Sequence, residues 1–211
     1  MAKNNLAAGE KAVARIAAIV LAAGRSTRAG EVNKLLAPIE GVPMVACTVS
    51  RVRDSRASPM IVVTGHEADR VGAALAGAGA QFTHNPDFFQ GMATSIAAGI
   101  KALDDDVDGV LICLGDMPAL AATDIDRLID AFEGDPDHGI CVPVAGGRRG
   151  NPVLFAAKFF PELLALSGDA GARAVITAHG GDVAEVAMIG AGTLVDLDTV
   201  EEIADFVLNP R

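Results

Sequence analysis

Short apolar runs recur along the chain, and each is followed by a stretch with helical periodicity. The runs lie at residues 16–22, 60–65, 80–85, 109–115 and 140–144. Runs of this length, bounded by turn residues, are typical of buried strands. Apolar residues three and four positions apart predict amphipathic helices at 43–54, 67–78, 92–103 and 123–134. The alternation predicts an α/β fold, a Rossmann-like three-layer sandwich with a mostly parallel sheet and helices on both faces.

The alternation stops after Val144. Turn residues then lead into the short strand-like run PVLF, and two helical stretches and a last strand follow at 157–166, 170–179 and 182–189. We expect this half to hold an antiparallel excursion of the sheet or a substrate lobe. Residues 1–14 have no firm periodicity and are interpreted as a loose leader. Residues 15–211 are expected to form a single domain.

Composition and charge exclude several classes of function. The formal net charge of -10 repels polyanions, and the absence of Trp and Tyr leaves few rings for stacking on bases. Nucleic acid is therefore not an expected partner. The cysteines at 47, 113 and 141 lie in apolar surroundings without a C-x-x-C spacing, which is typical of reduced core thiols. No apolar run is long enough to span a bilayer, so we expect a cytoplasmic protein without membrane contact.

The turn after the first predicted strand concentrates positive charge. It reads LAAGRSTRAGEVNKLL, in which Arg25, Arg28 and Lys34 outnumber the single Glu31. It matches neither the dinucleotide fingerprint G-x-G-x-x-G nor the phosphate loop G-x-x-x-x-G-K-[ST]. Because ligands bind beyond the carboxyl ends of parallel strands, this glycine-rich turn is predicted to bind phosphates. The alternative is an ordinary solvated loop.

Carboxylates follow two other strand ends. Asp116 comes directly after the run at 109–115, and Asp198 lies in the segment DLDT near the C-terminus. Mg²⁺ favours one or two carboxylates together with substrate phosphates. Asp116 is therefore predicted to hold Mg²⁺, with Mn²⁺ as a possible substitute. Asp198 is a candidate second ligand, and a helix N-cap is its alternative interpretation. Thr123 is expected to cap the helix predicted at 123–134.

Eight motifs follow one another in a specific order between Ile16 and Ile203. They read LAAGRSTRAG, NKLL, GVPMV, NPDFFQGMATSIAAGI, GDMPAL, GRRGNPVLF, GDAGARAVI and DLDTVEEI. This order resembles that of the molybdenum cofactor cytidylyltransferases, a branch of the MobA-like NTP transferases. The resemblance implies a fold of the nucleotide-diphospho-sugar transferase type. It also implies Mg²⁺-dependent transfer of CMP from CTP to the terminal phosphate of molybdopterin, with release of pyrophosphate.

The resemblance further implies roles for single residues. It places the nucleotide in residues 15–144 and the acceptor in residues 145–211. The implied nucleotide-binding residues are Leu21, Ala22, Ala23, Gly24, Ser26, Arg28, Lys34, Thr64, Gly65, Asn85, Gly91 and Ser95. The implied acceptor-binding residues are Arg148, Gly150, Asn151, Asp169, Gly171 and Arg173. The implied catalytic groups are Arg28, Lys34 and Asp116, and the implied metal ligands are Asp116 and Asp198. A transient contact with a molybdenum hydroxylase or its maturation chaperone is the implied protein partner.

Three positions differ from the patterns of related enzymes. Ala29 stands where the family usually has Met, a change expected to alter packing under the loop but not the chemistry. Asn151 stands where many members have His. The change at Asn151 leaves the acceptor open. Ala23 stands where guanylyltransferase relatives usually have a second Gly, and its methyl group narrows the base pocket. One methyl is worth roughly 1 to 3 kcal/mol of selection, which favours CTP over GTP.

The implied reaction is an in-line attack of the acceptor phosphate on the α-phosphorus of CTP. It requires the cationic turn and Asp116 to face each other across one cleft. Other activities stay open: transfer from GTP to the same cofactor, or transfer to a sugar or alcohol phosphate. A non-catalytic nucleotide-binding protein is an alternative of a different class. An oxidoreductase is disfavoured because the dinucleotide fingerprint is absent.

Overall fold

The computed structural model describes residues 13–25, 33–135, 137–169 and 171–208. Its strands are β1 (Ile16–Ala22), β2 (Pro38–Ile39), β3 (Val42–Pro43), β4 (Met60–Thr64), β5 (Gln81–His84), β6 (Gly109–Leu114), β7 (Ile140–Ala145), β8 (Arg148–Arg149), β9 (Val153–Ala156) and β10 (Val183–Ala187). Its α-helices are α1 (Met44–Arg53), α2 (Ala68–Ala74), α3 (Met92–Lys101), α4 (Ala122–Gly134), α5 (Phe160–Leu164), α6 (Arg173–Ala178) and α7 (Val200–Leu208). The leader expected at 1–14 lies almost wholly outside the described residues.

The main sheet has the strand order β10-β7-β9-β6-β1-β4-β5, with β8 paired to β7. β1 runs parallel to both β4 and β6, β5 is parallel to β4, and β10 is parallel to β7. β9 is antiparallel to both of its neighbours, β6 and β7, and β8 is antiparallel to β7. The mostly parallel sheet and its antiparallel excursion after Val144 are thus confirmed.

Side chains of the central strand β1 alternate between two apolar cores. Ile16, Ala18 and Val20 face a core that includes buried residues of α1, α2 and α4. Ala17 and Ile19 face the opposite core, with buried residues of α3, α5 and α6. The strand period of two and the helical period of 3.6 therefore place one helical layer on each face of the sheet. The predicted three-layer sandwich is confirmed.

The helix α7 packs outside the two main cores, against β2 and α1. Leu197 and Ile203 form a small third core with Ile39 of β2 and Met44 of α1. This packing returns the segment before α7 to the neighbourhood of the turn that follows β1. Residues far apart in sequence can therefore share one site.

Two local expectations differ from the structure. β5 was expected to be buried, but Gln81, Phe82 and His84 are exposed because β5 is the edge strand and has a neighbour on one side only. Thr123 is the predicted N-cap, but α4 begins at Ala122, and Ala121, two residues before Thr123, is in the cap position. The backbone N–H of Ala121 donates to Asp124 Oδ2 at 3.3 Å, which fixes the earlier start.

The three cysteines of the chain are free thiols. Cys113 and Cys141 are buried free thiols in β6 and β7, and Cys47 is a half-buried free thiol in α1. Of the helices in the described ranges, none combines the length and apolar character needed to cross a bilayer.

Candidate active site

The carboxyl ends of β1 and β6 form one edge of a cleft at the centre of the sheet. In the order of the strands, β4 lies next to β1 on one side, and β6, which comes later in the chain, lies next to β1 on the other side. Open α/β sheets bind ligands where the strand order changes direction in this way. The N–H of Gly115 donates to the carbonyl of Leu21 at 3.0 Å and holds the two strand ends together. The cleft has a volume of about 620 Å³ and is lined by Leu21, Ala23, Gly24, Arg25, Lys34, Leu35, Phe88, Phe89, Gly91, Met92, Ser95, Leu114, Asp116, Asp169, Asp196 and Asp198.

An ammonium group joins two carboxylates inside this cleft. Lys34 Nζ lies 2.6 Å from Asp116 Oδ2 and 2.5 Å from Asp198 Oδ1. The side chains of Lys34 and Asp116 are only 13% and 14% exposed, and that of Asp198 is 30% exposed. Ion pairs this sheltered from water interact more strongly than surface pairs. The structure thus brings together Lys34, Asp116 and Asp198.

Local hydrogen bonds position Lys34. Asn33 Oδ1 accepts the N–H of Leu35 at 3.2 Å and caps a single 3-10 turn, Lys34–Leu36. Leu35 is buried, so the turn is anchored by one apolar side chain. The side chain of Lys34 is then directed into the cleft.

A capping box places Asp198. Thr199 Oγ1 accepts the N–H of Glu202 at 3.1 Å. Glu202 Oε2 in turn accepts the N–H groups of Asp198 and Thr199 at 2.8 and 3.0 Å. Thr199 therefore caps α7, and the alternative interpretation of Asp198 as the N-cap is wrong. The carboxylate of Asp198 is directed to Lys34 instead.

The buried hydroxyl of Thr48 fixes the backbone on both sides of Asp116. Thr48 Oγ1, on α1, lies 3.1 Å from the carbonyl of Gly115 and accepts the N–H of Met117 at 3.2 Å. The backbone on both sides of Asp116 is thereby tied to one side chain that is fully buried. From the other side, the N–H of Leu197 donates to the carbonyl of Asp116 at 3.3 Å.

Charge is unevenly distributed in the cleft. Burial lowers the pKa of Lys34, but the charges and hydrogen bonds of Asp116 and Asp198 outweigh it and raise the pKa above its ordinary value. Burial raises the pKa of Asp196, and the negative charges of Asp116 and Asp198 raise it further. Lys34 therefore stays positively charged. The negative charge of the surrounding carboxylates favours the binding of further cations in the cleft.

The donor set fits a hard divalent cation. Asp116 Oδ1 is buried and has no hydrogen-bond partner, an unusual and costly state for a carboxylate oxygen. Within the described ranges, no group of three His, Cys, Asp or Glu side chains is arranged to hold a metal. Mg²⁺ needs only one or two protein carboxylates when substrate phosphates and water supply the rest. Asp116 and Asp198 could hold such an ion.

The predicted nucleotide-binding residues fall into three groups. Those that line the cleft are Leu21, Ala23, Gly24, Lys34, Gly91 and Ser95. Those that the structure places behind the lining are Ala22, Thr64, Gly65 and Asn85. Ser26 and Arg28 lie outside the described residues. The predicted juxtaposition of the turn and Asp116 therefore stands on Arg25 and Lys34, both of which line the cleft.

Asn85 supports the wall of the cleft. Its amide donates to Thr94 Oγ1 and Ser95 Oγ, both at 2.9 Å, and its own side chain is buried. Gly91, the residue before α3, has a φ of 114°, and a Cβ there would lie 2.5 Å from the carbonyl carbon of Gly168. The loop before α3 and the loop at Gly168 are thus packed together as one wall.

The predicted acceptor-binding residues are spread along the same end of the sheet. Asp169 lines the cleft, and Gly171 packs close to Met92, which also lines it. Arg148 and Arg173 are exposed. The remaining two pack on the 3-10 turn before α7: a Cβ on Gly150 would lie 2.2 Å from the Thr193 carbonyl, and the N–H of Asn151 donates to it at 2.8 Å.

Several residues at the site were missed. Asp196 lies two positions before Asp198 in the same segment, and this spacing was its signal. Phe88 and Phe89 fall within a motif but were given no role, and both line the cleft. Thr48 lies in the middle of a helical pattern, and no sequence signal marks it.

The family profile of the MobA-like NTP transferase domain matches residues 18–183. The chain belongs to the MobA-like NTP transferase family. The matched range includes β1, Lys34 and Asp116. It ends before Asp198, so α7 and its preceding loop are assigned to the site by geometry alone.

Two curated relatives differ in how much of their length is matched. The purine catabolism protein PucB of Bacillus subtilis is 29% identical over 204 residues, which cover 87% of this chain and 92% of PucB. The bifunctional protein GlmU of Geobacter metallireducens is 35% identical over 138 residues. That match covers 65% of this chain and only 28% of GlmU. This MobA-like chain thus spans less than a third of that relative.

Solved structures agree with the family assignment. Rv0371c of Mycobacterium tuberculosis superposes with a TM-score of 0.83 at 28% identity, covering 93% of this chain and 99% of that one. A nucleotidyl transferase from Methanothermobacter, Mth528, superposes with a TM-score of 0.79 at 26% identity, covering 93% and 99%. A further structure of Rv0371c is a complex with manganese, with a TM-score of 0.79 at 27% identity, covering 92% and 99%. The fold is that of nucleotidyltransferases of the nucleotide-diphospho-sugar type.

Proposed function

We propose that this nucleotidyltransferase moves CMP from CTP to the terminal phosphate of molybdenum cofactor and releases pyrophosphate. The observation that carries the proposal is the cluster of Lys34, Asp116 and Asp198 at the carboxyl ends of β1 and β6. Such a cluster combines a phosphate-binding cation with carboxylates for Mg²⁺ or Mn²⁺. The manganese complex of Rv0371c supports the use of a divalent ion.

The β1 side of the cleft supports the binding of a nucleoside triphosphate. Gly24 and Arg25 follow β1 directly and line the cleft next to Lys34. Phosphates there would meet backbone N–H groups and two cations. Arg28, which lies outside the described residues, is proposed to add a third.

Ala23 supports the choice of a pyrimidine base. It is almost fully buried and lines the cleft, so its methyl group occupies space beside the bound nucleotide. A cytosine ring is smaller than guanine and needs less of that space. The preference is a matter of roughly 1 to 3 kcal/mol, which gives selection without absolute exclusion.

The reaction asks the protein chiefly to align two phosphates. A divalent ion bound at Asp116 and Asp198 would withdraw charge from the triphosphate oxygens. Lys34 would neutralise negative charge that develops on the leaving pyrophosphate. Alignment of the acceptor oxygen with the α-phosphorus can supply about 7 to 11 kcal/mol of the rate enhancement.

The acceptor is proposed to lie along the C-terminal half of the chain. Asp169 is the acceptor residue that reaches the cleft, while Arg148 and Arg173 present exposed cations for an anionic substrate. Asn151 supplies an uncharged amide at this end of the sheet. The dinucleotide product would be passed to a molybdenum hydroxylase or its maturation chaperone in the cytoplasm.

The experiment measures pyrophosphate release with each of the four NTPs, using purified molybdenum cofactor as acceptor. We expect release with CTP to exceed that with GTP by at least about tenfold, and mass spectrometry should identify the cytosine dinucleotide. A preference for GTP would overturn the base assignment. Turnover only with sugar or alcohol phosphates would overturn the acceptor. No turnover with any pair would favour a nucleotide-binding protein.

Asp116→Asn tests the metal site. The amide keeps the shape of the side chain but loses the charge that a divalent ion needs, so we expect kcat to fall by at least about 100-fold. Because Asp116 contacts Lys34, folding is checked by the melting temperature and circular dichroism. The matched control is Asp105→Asn, which changes an exposed aspartate outside the cleft and should keep full activity. Near-normal pyrophosphate release by Asp116→Asn would refute the metal role.

A further inference from the structure

We propose that Lys34 holds the place of the divalent ion in the metal-free enzyme and gives it up when the metal–nucleotide complex binds. Its ammonium group would then move from Asp116 and Asp198 to the phosphates. Lys34 is thus a competitor of the metal in the nucleotide-free enzyme and a phosphate ligand in the loaded one. This inference rests on the metal site of the proposed function.

The geometry shows why lysine and metal would compete. Lys34 Nζ lies within 2.6 Å of one oxygen from each of two carboxylates, although these are 164 and 82 residues away from it in sequence.

 The two carboxylates, Asp198 and Asp116, therefore converge on a single point, and the ammonium group occupies it. A divalent ion held by both carboxylates would compete with the ammonium group for their negative charge, even if it bound Asp116 through the unpartnered oxygen, Oδ1. The two cations would also repel each other strongly, because water is largely excluded from this part of the cleft.

The surroundings explain why a cation must be present before the metal arrives. Asp116, Asp196 and Asp198 all line the cleft, and two of them are largely sheltered from water. Without a counter-ion their mutual repulsion would push the loop before α7 away from β6. Lys34 offsets this repulsion and keeps Asp198 within reach of Asp116.

The side chain of Lys34 is suited to an exchange of partners. Lysine carries a compact charge on a flexible four-carbon stem, whereas arginine is a rigid fork that prefers to stay on carboxylates. The backbone of Lys34 is fixed by the capped 3-10 turn, so only the stem has to move. Gly24 and Arg25 line the same cleft, so phosphates bound beside them would lie within reach of the Lys34 ammonium group.

The exchange couples metal binding to nucleotide binding. A metal that arrives alone would have to displace Lys34 from Asp116 and Asp198 without supplying a phosphate in their place. A metal that arrives with a triphosphate brings the anion with it. Each ligand should therefore strengthen the binding of the other, and Lys34 should carry much of this coupling.

The test measures the affinity for Mn²⁺ alone, by the electron paramagnetic resonance signal of free Mn²⁺, on protein without nucleotide. We expect Lys34→Met to bind Mn²⁺ at least about tenfold more tightly than the wild type. Lys34→Arg keeps the charge and should bind Mn²⁺ as weakly as the wild type or more weakly. Arg25→Met is the matched control, because Arg25 lines the same cleft but forms no salt bridge with Asp116 or Asp198 in the described part of the chain. It should change the affinity by less than about threefold.

A second titration repeats the measurement with a CTP analogue that cannot be cleaved at the α-phosphorus. In the wild type the analogue should tighten Mn²⁺ binding strongly, and in Lys34→Met most of this gain should be lost. Unchanged or weaker Mn²⁺ binding by nucleotide-free Lys34→Met would overturn the proposal, as would an equal gain in Arg25→Met. The melting temperature of each variant confirms that it is folded. The first titration needs neither CTP nor acceptor, so it can succeed even where the proposed reaction fails.

Discussion

The hydroxyl of Thr48 lies between the two peptide groups that flank Asp116. It accepts the N–H of Met117 and lies within hydrogen-bonding distance of the carbonyl of Gly115, and no water reaches it. A carboxylate that binds metal has to be held in one orientation, and residues that do this without touching the metal affect its affinity. At the scale of single residues, Thr48 is therefore the support on which Asp116 depends.

Thr48→Val should weaken Mn²⁺ binding by about tenfold, a loss in the range seen when such supports are removed. Valine fills the same space but leaves the N–H of Met117 unpaired, at a cost of about 1 to 3 kcal/mol in stability. Thr48→Ser keeps the hydroxyl and should restore the Mn²⁺ affinity. Manganese titration and thermal melting of both variants measure the two effects. Equal Mn²⁺ affinities in the valine variant and the wild type would show that Thr48 only stabilises the fold.

At the scale of single residues, the sequence predicts that groups lie close together where charge and strand ends coincide. Lys34 and Asp116 were predicted in this way, and the structure brings them together. Asn85 also follows a strand, but its amide is used within the wall of the cleft. A sequence shows that a polar residue lies at a strand end, but its direction depends on the packing of the loop that follows. The same limit hid Thr48.

At the scale of elements, α7 is the part that completes the site. Its apolar face packs on β2 and α1. In its capping box, the side chain of Glu202 accepts the backbone N–H of Asp198. Helix ends are fixed in place by their caps as much as by their apolar contacts. The position of Asp198 thus depends on the neighbouring Thr199, whose hydroxyl caps α7.

Thr199→Ala should destabilise the protein by about 1 kcal/mol, because it removes the side-chain cap of α7. It should also weaken Mn²⁺ binding, since the loop that carries Asp198 becomes less ordered. Thr199→Ser keeps the cap and should behave as the wild type in urea unfolding and in Mn²⁺ titration. If Thr199→Ala lost stability with no change in Mn²⁺ affinity, Asp198 would be positioned by the packing of Leu197 alone.

The elements themselves were largely predictable, but their neighbours were not. The main-sheet strands and the α-helices up to Val144 follow from periodicity, whereas the short strands β2 and β3 were not predicted. The break after Val144 indicated an antiparallel segment. Nothing in the run PVLF indicates that it enters the sheet between β6 and β7. Strand order depends on contacts between distant segments, which local patterns do not encode. The return of α7 to the β1 edge was hidden for the same reason.

At the scale of the whole molecule, two buried thiols report on unfolding. Burial raises the pKa of Cys113 to about 12. Burial, with a smaller contribution from the charge of Asp135, raises the pKa of Cys141 to about 11. Both thiols are therefore neutral and unreactive in the native protein at neutral pH.

A thiol reagent at pH 8 should label Cys47 slowly in the native protein. Cys113 and Cys141 should be labelled only after denaturation. The sign of the pH dependence follows from the raised pKa values. Stability from the neutral thiols is fully present below the ordinary value of 9.0 and is lost as the pH rises towards 11 to 12. Urea midpoints should accordingly fall above pH 9. The variant Cys47→Ser should show no labelling before unfolding, and prompt labelling of it would show that the sheet opens locally.

The antiparallel strand β9 separates two strands of the sheet that run in the same direction. Because β9 is antiparallel to both β6 and β7, these two strands are parallel to each other, with β9 between them. Neighbouring strands are about 4.8 Å apart, so the loops after β6 and β7 start about 10 Å from each other. The loops after β6 and β7 therefore open at the same edge of the sheet, with the width of one strand between them.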